Sequence, residues 1–129
     1  MRITGKWEFE VVPAREAQAH EWVEEMERDY ERDGHRIRYY LGPGTDHGLL
    51  RYEDRAAGGV LDPFTGQIHI FFAEESNLAV RAEELAHYFQ YKAQNLLGLT
   101  EEQIGRKVID ANEKEIKQVL EGRGFRICR

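Results

Sequence analysis

Cysteine is almost absent from this sequence. The one present, Cys128 near the C-terminus, excludes an intramolecular disulfide, a Cys-rich zinc knuckle and a thiol redox pair. A catalytic thiol is not expected at a chain end, so Cys128 is set aside as incidental. Long apolar runs are missing too: none approaches the roughly 18 residues of a membrane-spanning helix, and no membrane insertion is expected. The opening MRITGKWEFE lacks the apolar stretch of a secretory signal. Basic charge is in deficit, with 18 Lys and Arg against 24 Asp and Glu and a net charge of −6. That balance argues against a nucleic-acid binder working through a broad basic surface. Repeats, low-complexity tracts and interdomain linkers are also lacking. The 129 residues are enough for one domain with a core of its own.

The elements are readable in order. Residues 3–12 alternate Trp7, Phe9 and Val11 with polar neighbours, the period of a half-buried strand, and Pro13 stops it. A helix follows over 14–33, with Ala19, Trp22, Val23, Met26 and Tyr30 on its apolar face and Gly34 as its stop. Its eight acids against three arginines read as a solvated face, and His20 at the margin reads as a surface or packing residue. Strands are expected at 36–41 and 49–53, separated by a polar loop carrying Asp46 and His47. Residues 58–72, GGVLDPFTGQIHIFF, predict a β-hairpin turned by Asp62-Pro63-Phe64-Thr65-Gly66. Ile68, Ile70 and Phe72 lie on one face, with Gln67, His69 and Phe71 on the other. Ser76 or Asn77 caps the next helix. Beyond Gly98, Thr100 caps a last helix over 101–121, with Ile104, Val108, Ile109, Ile116, Val119 and Leu120 buried. Asn112 lies amid that apolar arc and so calls for a polar partner. Phe125 and Ile127 suit a closing strand.

The chemistry concentrates in residues 82–94, AEELAHYFQYKAQ. At roughly 100° per residue, Ala82, Leu85, Ala86, Phe89 and Ala93 share one arc. Glu83, His87, Gln90 and Gln94 stack opposite, with Glu84 and Tyr91 at the edge. Glu83 and His87 are helical neighbours able to reach one point. The spacing Glu-Glu-x-x-His differs in one residue from the His-Glu-x-x-His of zinc peptidases, whose outer residues bind metal and whose inner Glu activates water. A polar stripe of this kind is equally what a plain surface helix presents.

The hairpin Gly-Gly-Val-Leu-Asp-Pro-x-Thr-Gly-x-Ile-His, the helix Glu-Glu-Leu-x-His-x-x-Gln and the later Asn-Glu-x-Glu-x-Lys stand in a definite order. Together they resemble the zincin-like metallopeptidase domains of bacterial polymorphic toxin systems, over about residues 58–127. The resemblance implies a mixed α+β fold: a small mixed sheet whose β-hairpin leads into the metal helix, then a C-terminal helix. One domain over 1–129 is expected, with a strand–helix–strands half (1–57) before the motif half (58–129). Carried over, Glu84 is the general base and His87 a metal ligand. Glu113 is the third ligand, with Glu115 as its rival, and Gln90 lines the pocket. Asn112 and His69 are further candidates to face the site. Glu83 stands where the family has its first histidine. A Glu83, His87 and Glu113 set can hold zinc, and as a harder set it also suits manganese or iron, or else the domain has lost its metal. The implied substrate is a peptide or protein, which in zincins pairs with an edge strand. The implied partner is a cognate immunity protein, and the setting is cytoplasmic or delivery within a secreted toxin.

Two other readings stay open. One is a non-catalytic protein-binding module on a degenerate zincin-like fold, in which Glu83, His87 and Gln90 form only a buried polar network. The other is di-iron chemistry at Glu84-x-x-His87, which needs a second such pair that this sequence lacks.

Overall fold

In the computed structural model, residues 10–75 and 77–128 are described, and they form an α+β fold with two small sheets. The outer one pairs β1 (Glu10–Pro13) antiparallel with β5 (Phe125–Cys128), Val11 opposite Ile127. Positions 3–9 of the expected first strand lie outside the described residues, and the closing strand forms as its alternation predicts. Between them, Gly124 has φ 98°, and its carbonyl accepts from the Ala14 and Arg15 amides at 2.8 and 2.9 Å. A Cβ there would come within 2.8 Å of the Arg15 carbonyl oxygen, so glycine is required where β5 closes on the start of α1.

Helix α1 (Glu16–Arg32) buries Ala19, Val23, Met26 and Tyr30, a three-to-four spacing that makes one apolar stripe. The second sheet has the order β2-β4-β3. Strand β2 (Arg38–Tyr39) runs parallel to β4 (Gln67–Ile70), and β3 (Gly59–Asp62) runs antiparallel to it. The hairpin turn is held by Asp62, whose carboxylate accepts from the Phe64 amide at 3.0 Å and the Thr65 hydroxyl at 3.1 Å.

Several expectations are corrected. No strand forms over 49–53; the connection carries two 3-10 turns, Gly44–His47 and Tyr52–Asp54. Adjacent Leu49 and Leu50 both pack on the small Val60–Phe71 cluster, which a period-two strand cannot do. Phe72 leaves the Ile68–Ile70 face, because its φ of 52° ends the strand and turns it toward that same small cluster. The last helix is broken into α3 (Glu101–Ile104) and α4 (Arg106–Glu121) at Gly105. Gly105 has φ 91°, which no helix interior accommodates. Thr100 caps α3 as expected, in a reciprocal box with Gln103. Val108, expected inside, is exposed.

Helix α2 (Leu78–Ala93) lies at the centre. It packs on α1, on α4 and on the β3–β4 hairpin. Asn77 occupies its N-cap position without a side-chain hydrogen bond, and Ser76 lies outside the described residues. Gly58 and Gly59 let the hairpin backbone close on the helix, since a Cβ on either would fall within 3 Å of Val80. Among the described residues no helix is long and apolar enough to cross a membrane.

Candidate functional site

Gln94 aside, which is exposed, the polar arc of α2 does not face water. Glu83, Glu84, His87 and Gln90 are 3%, 2%, 2% and 8% exposed. Leu78, Ala82, Leu85, Ala86, Tyr88 and Tyr91 are buried on the same helix and leave it almost no solvent side. A helix apolar around most of its circumference is pulled inward, and its acids go with it. β3 presses on Glu84, whose Cγ lies 3.1 Å from where a Gly59 Cβ would stand. α4 supplies Glu113, whose Oε1 is 3.6 Å from His87 Nε2. Glu113, with its side chain 24% exposed, is where this cluster reaches the surface.

Hydrogen bonding determines how His87 is presented. Gln90 Nε2 donates to the Asn112 carbonyl at 3.1 Å and to Glu115 Oε1 at 2.9 Å. Both partners only accept, so the amide orientation is unambiguous. Gln90 Oε1 is therefore the atom 2.8 Å from His87 Nδ1, and Nδ1 must carry the proton. In the neutral ring this leaves the lone pair on Nε2. That nitrogen is buried without a hydrogen-bond partner among the described residues, as are Glu83 Oε1, Glu84 Oε1 and the Tyr91 hydroxyl.

Burial without partners changes the acidities. Burial, then the neighbouring Glu84 and Glu113 charges, push Glu83 well above the ordinary carboxylate range. Burial raises Glu84 to about 8; His87 works against the shift and Glu113 adds to it. For His87, burial opposes the charged ring, yet Glu113, Glu84 and Gln90 together hold its pKa above the usual value. Burial raises the Tyr91 hydroxyl as well. Burying an ionised carboxylate costs several kcal/mol, so this cluster demands either protons or a cation.

The donor chemistry suits a divalent cation: unpartnered carboxylate oxygens, a histidine with a free Nε2, and an acceptor fixing its other nitrogen, the usual support of a metal-bound histidine. The side chains are adjacent rather than drawn together. Among the described residues no three of His, Cys, Asp or Glu group closely enough to hold an ion.

The remaining predicted site residues fall as follows. Glu113 faces Nε2 of His87, whereas Glu115 reaches the ring only through Gln90. Asn112 finds its polar partner in Gln94, through reciprocal amide bonds of 2.9 and 3.0 Å. His69 is not brought to the cluster. Ile68 and Ile70 face the α2 side, so the strand pleat turns His69 away, where Nδ1 meets the Tyr40 hydroxyl at 2.8 Å. Burial and then Arg38 lower its pKa. Tyr91, which the helical wheel puts at the edge of the polar arc, belongs to the cluster. It sits one helical turn from His87, rings 5.9 Å apart, a position readable from the i, i+4 spacing. A cleft of about 70 Å³ bounded by Glu27, Tyr30, Glu31, Arg36, Ile37 and Tyr39 lies away from these residues, on α1 and β2.

No protein-family model matches the chain, and no curated protein or solved structure matches it.

Proposed function

We propose that the protein is a metal-dependent peptide hydrolase of the zincin-like toxin type. The observation that carries this reading is the unpartnered Nε2 of His87 beside two buried carboxylates with unpartnered oxygens. Glu83, His87 and Glu113 would hold the ion, with zinc the first candidate and manganese or iron suited to so carboxylate-rich a set. A divalent cation supplies Lewis-acid polarisation of the scissile carbonyl when bound. Glu84 takes the proton of the attacking water on its carboxylate and returns it to the leaving amine nitrogen. In its neutral form His87 carries the lone pair on Nε2, and the buried setting excludes competing solvent around Glu84. Glu113, at the exposed margin, marks where substrate approaches. The toxin setting, with a cognate immunity protein as partner, rests on the order of hairpin, motif helix and Asn-Glu-x-Glu-x-Lys helix.

A second reading has its own observation. The hydrogen bonds that run from His87 through Gln90 to the Asn112 carbonyl and Glu115 favour a non-catalytic protein-binding module, with Glu83, His87 and Gln90 as a buried polar network.

Elemental analysis of the wild type beside His87→Ala separates the two. The hydrolase reading expects about one zinc, manganese or iron per chain, lost in the variant. Metal-free protein in both cases, after incubation with each of the three ions, makes the cluster structural.

A further inference from the structure

The zincin resemblance makes Gln90 a pocket residue, but its hydrogen bonds give it a different task. It stands behind His87, on the Nδ1 side, while Glu113 stands on the Nε2 side. Two glutamates of α4, two positions apart, thus address opposite nitrogens of one ring, and Gln90 is the link for the second. Its side-chain amide is used completely. Both Nε2 hydrogens are committed, one to the Asn112 carbonyl and one to Glu115, and the oxygen is left for the imidazole. The partners come from a separate helix, so the packing of α4 on α2 sets the amide's orientation. The Asn112–Gln94 amide pair secures the same stretch of α4 against α2 one turn further along.

We infer that Gln90, oriented by Glu115 and the Asn112 carbonyl, is a positioning residue that holds His87 in the Nδ1–H tautomer and keeps Nε2 free as a metal donor. This rests on the metal-site reading above for its purpose, though not for its geometry. Unconstrained histidine side chains favour the opposite tautomer, with the proton on Nε2, which would block the donor atom. A hydrogen-bond acceptor on the far nitrogen is the general means of setting which ring nitrogen binds metal. Glu115 does not touch the ring and acts through Gln90.

The test reads the tautomer directly. Long-range proton–nitrogen correlation spectra of ¹⁵N-labelled full-length, metal-free protein are recorded above the pH at which His87 titrates, with His87 assigned by its loss in His87→Asn. The wild type should show a protonated Nδ1 and an unprotonated Nε2. Gln90→Leu should shift His87 toward Nε2–H and weaken Zn²⁺ binding about 10–100-fold. The double variant Gln90→Glu/Glu115→Gln retains an acceptor toward His87 and a donor behind it, so it should keep Nδ1–H. An Nε2–H tautomer in the wild type, or an unchanged tautomer in Gln90→Leu, overturns the inference. If Gln90→Leu does not fold, the wild-type and double-variant spectra still decide. Tautomers that respond as stated in a protein that takes up no Zn²⁺ uphold the positioning role and sink the hydrolase reading. Normal Zn²⁺ uptake with an unresponsive tautomer does the reverse.

Discussion

Helices α1 and α2 are nearly equal in length, 17 and 16 residues, and treat acidic side chains in opposite ways. α1 carries seven acids, none of them buried, and contributes a single stripe of Ala19, Val23, Met26 and Tyr30 to the core. α2 carries only Glu83 and Glu84, and both are inside. The number of charges therefore says little about where the chemistry is. What matters is whether the rest of the helix is apolar enough to carry a charge inward. On α1 each carboxylate keeps access to water. On α2 the same group is desolvated, raised in pKa and left with an unpartnered oxygen, a state with a free-energy cost that functional sites repeatedly show.

The largest expected effect comes from Glu84. Glu84→Gln removes the base while preserving size, and peptide hydrolysis should fall about 10²–10⁴-fold with metal content retained. Equal hydrolysis by wild type and variant would remove Glu84 from the mechanism and make α2 merely a buried counterpart of α1.

Next is pH. The folded-state pKa of Glu84, about 8, lies above its ordinary value of 4.5, so the folded protein binds a proton that the unfolded chain releases. Glu84 stabilises the fold fully below about pH 4.5, and this contribution is lost as pH rises through about 8. Glu83 and His87 are shifted upward too and act in the same direction. Metal-free protein should thus lose on the order of a few kcal/mol between about pH 5 and 8, measured by urea unfolding. Saturating zinc should oppose that loss. Stability that rises with pH over this window in the metal-free protein would contradict the burial of these groups.

A smaller effect tests the buried hydrogen bonds of Tyr30 on α1. The Tyr30 hydroxyl donates to the Gly66 carbonyl at 2.7 Å and accepts from the Ile68 amide at 2.9 Å. Tyr30→Phe leaves both hairpin groups unsatisfied and should cost about 1–3 kcal/mol in chemical denaturation, with metal uptake unchanged. The smallest effect belongs to the solvated face: Glu24→Gln and Glu25→Gln, both exposed, should each stay within about 0.5 kcal/mol of wild type. A larger loss there would show that the two helices differ less than their burial indicates.

Local sequence signals located most of the elements and placed Glu83, Glu84, His87 and Gln90 on one helix. Alternation in 67–70, apolar spacing in 16–32, the Asp62–Gly66 turn and the Thr100 cap all act within a few residues, so each was legible without tertiary contacts. The Glu-Glu-x-x-His spacing likewise put Glu83, Glu84 and His87 together, because helix geometry alone makes them neighbours. Tertiary structure decided everything that depends on a second element. Periodicity cannot tell a polar stripe facing water from one facing α4. It cannot choose between Glu113 and Glu115, two positions apart on a helix whose rotation is set by packing, nor turn His69 away, since that follows from which sheet face α2 covers. The break at Gly105 and the lost 49–53 strand have the same origin: a glycine's left-handed φ and a pair of leucines take their meaning from what they pack against. Sequence by itself determined which groups are on hand; the assembly of α1, α4 and the hairpin around α2 decided that they are dry, and dryness is what gives them unusual acidities.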